Sequence, residues 1–208
     1  GRITGALEEK FGTNRLSGPI FQERISRAAD APTRSPVFVD GFAAVEAECI
    51  FLVREDAPAE KLEWTVEEAR ELVGAAHLGI EIASSPFPGI NEAGPLVTIS
   101  DFGNNHGLIV GGELPRWQEY PLVEWTMETL IDDEVVGSAT PNSIPGGPLE
   151  SFRFLLENTA QRRLPLKAGM MVSTGAVTGV HEARIGQSAT VRMPRSRPRR
   201  PTWARSSR

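Results

Sequence analysis

Three glutamates interrupt apolar runs of this sequence. Glu46 and Glu48 lie one residue apart in the run 45–53, and Glu81 lies in the run 78–83. Side chains of a β-strand alternate between its two faces, so Glu46 and Glu48 are expected to lie close together on one face. Two like charges beside apolar neighbours resist ionisation unless a cation binds between them. Such carboxylates suit a hard divalent cation such as Mg2+ or Mn2+.

A second interpretation treats the same strand face as an ordinary solvent-facing surface. Many antiparallel strands have one wet face, where Glu46 and Glu48 would pair with nearby lysines or arginines. Ile50 and Leu52 continue this face, which makes it mixed rather than plainly polar. The residues alone leave both interpretations open.

The composition is that of a soluble globular protein. The 208 residues are 40% hydrophobic and 24% charged, enough for one good core. No apolar stretch approaches the roughly 20 residues of a membrane span, and the first residues contain no signal-peptide core. The single cysteine, Cys49, cannot form an intramolecular disulfide and is compatible with a reducing, cytoplasmic location. Alternation places Cys49 opposite the glutamates, as a small buried hydrophobic residue.

The two ends of the chain differ in charge. The net charge is −5, yet residues 194–208 contain six arginines and no acidic residue. This segment also has three prolines and no periodicity, so we expect a disordered basic tail that binds no specific nucleic acid. The predicted organisation is therefore a domain over residues 1–193 followed by a tail over 194–208.

Hydrophobic periodicity predicts many short strands and two helices. Thr65 and Glu68 form a capping-box pattern, and apolar residues from Val66 to Ala76 continue it at helical spacing. A second helix is predicted over 148–162. The predicted strands are 37–53 with a turn at Asp40-Gly41, 78–83, 108–110, a hairpin of 123–131 with 135–136, 170–173 and 189–193. Without regular alternation of strands and helices, this order favours a mixed α+β sheet or β-roll over a parallel Rossmann sheet.

Several short motifs follow one another in a recognisable order. They are Val45-Glu46-Ala47-Glu48-Cys49-Ile50, Gly79-Ile80-Glu81-Ile82, Ile99-Ser100-Asp101-Phe102-Gly103-Asn104-Asn105, Val110-Gly111-Gly112, Gly146-Gly147-Pro148-Leu149, Pro165-Leu166-Lys167-Ala168-Gly169 and Ser173-Thr174-Gly175-Ala176. In this order and spacing the chain resembles the 2-keto-4-pentenoate hydratase family, within the fumarylacetoacetate hydrolase-like superfamily. The likeness covers about residues 1–193.

The resemblance implies a fold, a metal site and a reaction. The fold would be a mixed, barrel-like β-roll with a few flanking helices. Glu46, Glu48 and Glu81 would hold Mg2+ or Mn2+, which in such families chelates the 1-carboxylate and 2-oxo oxygens of a short dienoate. Water would then add to a 2-hydroxy-2,4-dienoate to give a 4-hydroxy-2-oxo acid, in the breakdown of aromatic compounds. The family also implies a homo-oligomer.

Three further positions match polar substrate contacts of similar proteins. Thr174 would contribute to the pocket for the substrate carboxylate, and Asn142 and Asn105 would supply polar contacts. The alternatives are a turn-stabilising threonine and turn-forming asparagines. His77, which would end the first helix, and His106 and His181 are predicted to have structural or surface roles, because no two of them have metal-ligand spacing.

The chain departs from the family pattern at two positions expected to transfer protons. Ile3 stands where the family has a lysine, and Leu16 stands where it has an aspartate. The family's N-terminal part is expected to be missing. Three other functions therefore stay open: a 4-oxalocrotonate-type decarboxylase, a fumarylacetoacetate-type C–C hydrolase, or a weakly active structural partner of such an enzyme. His106 and Lys167 are the next candidates for the proton-transfer group.

Overall fold

The computed structural model describes residues 1–119 and 122–194, which form two sheets and a few short helices. The helices are α1 (Ala6–Phe11), α2 (Val66–Glu71), α3 (Pro95–Ser100) and α4 (Gly147–Gln161). The strands are β1 (Ile25–Arg27), β2 (Phe42–Val53), β3 (Val73–Ser85), β4 (Asn105–Glu113), β5 (Met127–Ile131), β6 (Glu134–Ala139), β7 (Met171–Ala176), β8 (His181–Glu182) and β9 (Ala189–Arg192). The predicted mixed α+β class is confirmed.

The larger sheet is built around two long antiparallel strands. Its order is β1-β4-β3-β2-β7, and β8 pairs with β2 on the same edge as β7. The strands β2 and β3 run side by side over 12 and 13 residues. Within the sheet β1 and β4 are parallel, and the other pairings are antiparallel. This long β2–β3 pair is the frame on which the glutamates lie.

The smaller sheet has the order β6-β5-β9. Its hairpin turns at Asp132 and Asp133, whose φ angles are 49° and 66°. Two successive residues with positive φ match the right-handed twist of the flanking strands, and aspartate tolerates this conformation. The predicted hairpin is confirmed, although β5 begins only at Met127, after a 3-10 turn at Leu122–Glu124.

One face of the larger sheet carries the main core. Phe51 packs edge-on against Phe152 of α4, with ring centroids 5.8 Å apart. Further along the same face, Cys49 is buried against Met127 and Val177, beside the smaller sheet. Cys49 is therefore the buried residue that alternation predicted, and burial raises the pKa of its thiol. The opposite face of β2 is left for Glu46 and Glu48.

The first predicted helix starts as expected but ends early. The Glu68 backbone N–H donates to Thr65 Oγ1 at 3.1 Å, and the Thr65 N–H donates to Glu68 Oε2 at 2.9 Å, which completes the capping box. The helix stops at Glu71, so the predicted helical continuation to Ala76 is wrong. Residues 73–76 belong to β3, because pairing with β2 satisfies their backbone groups and buries the apolar side chains of Val73 and Ala76.

His77 consequently lies inside β3 rather than at a helix end. Its ring is buried, with Nδ1 3.2 Å from the Gly111 carbonyl oxygen of β4. Sequence periodicity also missed α1, α3, β1 and β8, which are each six residues or shorter. None of the helices in the described ranges has the length and apolarity needed to cross a membrane. The predicted disordered tail, apart from Pro194, lies outside the described residues.

Candidate metal centre

The β2–β3 register brings the three predicted glutamates together. Glu46 is directly opposite Glu81, and Glu48 is opposite Gly79. Residues opposite each other in a sheet share a face, so all three carboxylates project from the same side. One carboxylate oxygen from each glutamate can be chosen so that these oxygens all lie within 4.8 Å of one another. A single cation therefore fits among them.

Burial opposes ionisation of this cluster. Glu48 is only 1% exposed, and Glu46 and Glu81 are partly buried. Burial, reinforced by the charge of Glu81, raises the pKa of Glu46 to about 8. Burial and the two neighbouring carboxylates raise the pKa of Glu48 well above its ordinary value. Without a cation, the cluster therefore retains protons near neutral pH.

The ion pairs do not support the interpretation in which Glu46 and Glu48 lie on a solvent-facing strand surface. Within residues 1–119 and 122–194, no lysine or arginine side chain forms a salt bridge with Glu46, Glu48 or Glu81. Three clustered carboxylates with little access to water and no cationic side chain are the donor set that a hard divalent cation requires. The residues present thus fit Mg2+ or Mn2+.

A bulge in β7 fixes one carboxylate of the cluster. Ile50 is opposite Ser173, but Glu48, two residues earlier, is opposite Ala176, so β7 contains an extra residue. Gly175 lies in this bulge with φ of 126°, a conformation that other residues rarely adopt. Its backbone N–H donates to Glu48 Oε2 at 2.5 Å. The bulge therefore aims a backbone donor at a ligand carboxylate.

Two side chains with unused hydrogen-bonding capacity border the cluster. Burial raises the pKa of Glu81, while the amide of Asn105, the Gly1 ammonium and the hydroxyl of Ser173 oppose that rise. Yet Nδ2 of Asn105 and Oγ of Ser173 are buried and have no protein hydrogen-bond partner of acceptable geometry. Asn105 was predicted as a site residue, whereas Ser173 was not. The motif Ser173-Thr174-Gly175-Ala176 pointed to the neighbouring Thr174 instead. Sequence periodicity also cannot show the bulge in β7.

The other two predicted substrate contacts are placed differently. Thr174 is 4% exposed, and its hydroxyl donates to the Cys49 carbonyl oxygen at 2.8 Å. It thus links β7 to β2, and a role of Thr174 in the substrate pocket stays a prediction. Asn142 is exposed on the 3-10 turn Pro141–Ser143. That turn is tied to the sheet by Ser143 Oγ, which donates to the Val177 carbonyl at 2.6 Å. A substrate role for Asn142 stays a prediction.

The N-terminal segment lies beside the cluster. The Gly1 ammonium is close enough to Glu46 and Glu81 to lower the pKa of each against the effect of burial. The backbones of Gly1 and Leu16 are hydrogen-bonded to each other, at 3.2 and 3.1 Å. Ile3, on the same segment, is 4% exposed. The apolar residues at the family's lysine and aspartate positions therefore belong to a segment that borders the carboxylates.

The two other candidates for proton transfer, His106 and Lys167, and the predicted structural residue His181 each contact a neighbouring side chain. The His106 ring packs against Phe38, with centroids 4.9 Å apart, and burial and nearby Arg24 lower its pKa. Lys167 pairs with Asp56 at 3.0 Å, beyond the Val53 end of β2. The His181 ring lies on β8, with Nε2 3.2 Å from Thr178 Oγ1. Each of these contacts is structural in character.

Comparison with solved structures supplies the name of the fold. No protein-family model matches the sequence. A 4-oxalocrotonate decarboxylase from Pseudomonas putida G7, solved with magnesium and adipate, is similar at a TM-score of 0.72 and 18% identity, over 90% of this chain and 69% of that one. A fumarylpyruvate hydrolase from Pseudomonas aeruginosa, solved with Mn2+ and pyruvate, has a TM-score of 0.61 and 14% identity, over 89% of this chain and 79% of that one.

A third solved structure carries the family name itself. A fumarylacetoacetate hydrolase family protein from yeast has a TM-score of 0.55 and 12% identity, over 81% of this chain and 75% of that one. Identities this low establish architecture rather than activity. The chain has the mixed α+β fold of the fumarylacetoacetate hydrolase-like proteins.

Proposed function

We propose that this chain is a divalent-cation-dependent enzyme that acts on a short 2-oxo acid, and that its reaction is the hydration of a 2-hydroxy-2,4-dienoate. The observation that carries the proposal is the cluster of Glu46, Glu48 and Glu81, whose carboxylate oxygens approach within 4.8 Å on one face of the sheet. A structural protein gains nothing from burying three carboxylates together, because their repulsion and desolvation destabilise the fold.

The three glutamates would hold Mg2+ or Mn2+. When bound, such a cation stabilises the negative charge that develops on the oxygen of a 2-oxo acid as it becomes an enolate. Gly175 keeps the Glu48 carboxylate in place through its backbone N–H. Glu46 and Glu81 are less deeply buried than Glu48, so the substrate would approach the cluster from their side.

The ligands of two similar structures support this substrate class. The decarboxylase structure contains magnesium and a dicarboxylate, adipate, and the fumarylpyruvate hydrolase structure contains Mn2+ and a 2-oxo acid, pyruvate. A carboxylate and an adjacent oxo group offer two hard oxygens to one cation. We propose the same class of ligand for this chain.

Hydration places two demands on protons. Water must lose one proton as its oxygen bonds to C4, and the enol oxygen on C2 must lose another as it becomes the oxo group, while C3 and C5 of the dienoate each gain one proton. Ile3 and Leu16 cannot exchange protons, so another group beside the cluster must do so in this chain. Association into a homo-oligomer, or with a decarboxylase partner, stays a prediction.

Decarboxylation of a 2-oxo-3-enedioate is the second candidate reaction. Loss of CO2 leaves its electron pair in the conjugated enolate, and a single proton then completes the product. This reaction needs no activated water, which agrees with the apolar residues at positions 3 and 16. A 4-oxalocrotonate decarboxylase also shares the fold, at a TM-score of 0.72, so the architecture is compatible with this reaction.

The decisive experiment supplies three substrates, one at a time, to the Mg2+-loaded protein. Hydration consumes 2-hydroxypenta-2,4-dienoate, with loss of diene absorbance and appearance of a 4-hydroxy-2-oxo acid. Decarboxylation releases CO2 from a 2-oxo-3-enedioate, and a hydrolase would instead cleave a C–C bond of a 1,3-diketo acid. The double variant Glu46→Gln/Glu48→Gln serves as the inactive control. Metal binding without turnover of any of the three substrates would overturn the proposal and leave a non-catalytic partner.

A further inference from the structure

Four neighbouring positions of the β2–β3 pair form a square on the face that carries the glutamates. Three corners are Glu46, Glu48 and Glu81, and the fourth is Gly79, which has no side chain. Glu46 is opposite Glu81, and Glu48 is opposite Gly79. The Cβ atoms of opposed residues lie only about 4.5–5.5 Å apart. A side chain at position 79 would therefore lie directly beside the carboxylates.

The δ-methyl group of Ile50 fills this fourth corner from the neighbouring strand. A Cβ atom added to Gly79 would overlap the Cδ1 atom of Ile50, so the two methyl groups would occupy the same space. Ile50 follows Glu48 by two residues on β2, which places both side chains on the same face. The Ile50 side chain is fully buried. The corner is therefore occupied by a methyl group rather than by water or a fourth polar side chain.

The filled corner belongs to an apolar wall on one side of the carboxylates. Ile50 packs in one buried cluster with Leu108 and Val110 of β4. Leu108 is opposite Glu81, so this cluster borders the carboxylates directly. Hydrocarbon side chains offer a cation no ligand atom, and close-packed interiors contain few voids larger than a water molecule. The wall therefore closes this side of the metal centre, whereas Glu46 and Glu81 remain partly exposed on the other.

We infer that Ile50 and Gly79 determine which cation the site selects, because the Ile50 methyl group keeps water out of the fourth corner and so limits the number of ligands around the cation. This inference rests on the proposed metal centre and adds a selectivity determinant to it. Mg2+ takes a compact octahedral set of ligands at about 2.0–2.1 Å, whereas Ca2+ takes about 6–8 oxygen ligands at about 2.3–2.6 Å. A closed corner therefore favours the small cation, since the large one needs room for additional water ligands.

The test removes this methyl group and then returns one from the opposite strand. Ile50→Val deletes the Cδ1 atom and opens a space beside the carboxylates, whose oxygens are polar partners for an entering water molecule. Gly79→Ala/Ile50→Val places a new Cβ where the deleted methyl group was. The carbonyl oxygen of Ile109 lies 2.8 Å from the new atom and must move slightly, so this double variant need not regain full stability. Its selectivity between cations should nevertheless return.

Two measurements report on the fourth corner. Titration calorimetry gives the affinities for Mg2+, Mn2+ and Ca2+, and the relaxation of water protons by bound Mn2+ gives the number of water molecules that this cation holds. For Ile50→Val we expect about one additional water on Mn2+. We also expect the ratio of Ca2+ affinity to Mg2+ affinity to rise roughly tenfold, as is typical of changes beside metal ligands. In the double variant both quantities should return to their wild-type values.

Ile131→Val is the matched control for the loss of a buried methyl group. Ile131 is a buried residue of β5 that packs against Val45 and Ile82, whose side chains lie on the other face of the larger sheet. This variant should lower the melting temperature as Ile50→Val does, but leave the number of bound water molecules and the affinity ratio unchanged. A merely structural role of Ile50 would make the two variants alike. Should the double variant fail to fold, this comparison still decides.

The outcomes distinguish the inference from the proposed function. An unchanged water number and an unchanged affinity ratio in folded Ile50→Val, with wild-type metal binding intact, would overturn the inference alone. Equal changes in Ile131→Val would also overturn it, as would a folded double variant that keeps the altered ratio. Absence of Mg2+ and Mn2+ binding by the wild-type protein would overturn the metal centre itself, and with it the proposed function.

Discussion

Glu46 and Glu81 are directly opposed residues of neighbouring antiparallel strands. Like charges at opposed positions of a sheet destabilise it, and here the charge of Glu81 raises the pKa of Glu46 in a buried setting. Protonation relieves that repulsion at low pH. At higher pH only a cation can relieve it, so this pair couples the stability of the sheet to metal binding.

The first prediction concerns the metal ligands. The double variant Glu46→Gln/Glu48→Gln should lose Mg2+ and Mn2+ binding, because neutral amides are poor ligands for hard cations. Titration calorimetry measures this directly. Glu134→Gln/Glu182→Gln, which neutralises two exposed strand residues, is the matched control and should bind normally. Unchanged Mg2+ affinity in the folded Glu46/Glu48 variant would show that these glutamates are not the metal ligands.

The second prediction concerns stability and pH in the absence of metal. The pKa of Glu46 is about 8 in the folded protein against an ordinary value of 4.5, so the folded state keeps a proton that the unfolded state releases. The free energy of unfolding should therefore fall as the pH rises from about 4.5 to 8, by on the order of 1 kcal/mol for each step of one in pH. Added Mg2+ should raise the melting temperature more at pH 8 than at pH 5.

Thermal unfolding with a chelator, and then with Mg2+, measures this dependence. The lowered pKa of His106 acts in the opposite direction near neutral pH, so the glutamine double variant provides the baseline for the glutamates. If the chelated wild-type protein became more stable relative to that variant between pH 5 and pH 8, the buried carboxylates would not control stability.

The third prediction concerns the bulge in β7. Gly175→Ala should destabilise the fold by about 1–3 kcal/mol, because a φ of 126° strains any residue with a Cβ. It should also weaken Mn2+ binding, since relaxation of the bulge moves the N–H that donates to Glu48. Gly112→Ala is the control, since its added Cβ would meet open space at an ordinary φ. Equal melting temperatures and metal affinities for the two variants would contradict this account.

The fourth prediction separates the two roles considered for Thr174. Thr174→Val should lower stability by about 1 kcal/mol, because the hydroxyl no longer donates to the Cys49 carbonyl. Metal affinity and the KM of any substrate should stay unchanged. Thr190→Val, at an exposed position of β9, should have neither effect. A raised KM with an unchanged melting temperature would instead assign Thr174 to the substrate pocket.

The fifth prediction concerns proton transfer. Ile3→Lys would place an ammonium on the segment that borders the carboxylates, at the position where the resembled family has a lysine. A well-placed acid or base contributes about 10²–10⁴-fold, so even partial restoration should give a measurable increase in hydratase turnover. Ile3→Met matches the length without the charge and should not raise it. If the wild-type protein is already strongly active and neither variant changes its turnover, another group transfers the proton.

Local signals in the sequence predicted much of the fold. The Thr65–Glu68 pattern located the start of α2, and the α4 periodicity located that helix to within one residue at each end. Alternation placed Cys49 in the core and the glutamates on the other face. The same signals extended α2 too far, because local periodicity does not show that an apolar stretch will pair with a long neighbouring strand.

The sequence by itself determined that Glu46 and Glu48 share a face, because the period of a strand is a property of its backbone. Only the tertiary structure decided that Glu81 stands opposite Glu46, since register depends on a partner more than thirty residues away in the chain. It also decided that the Gly175 backbone N–H, rather than the Thr174 hydroxyl, reaches the Glu48 carboxylate. One extra residue in β7 shifts its pairing with β2 between Glu48 and Ile50. Such a shift is a property of the paired strands, so the sequence of either strand alone does not show it.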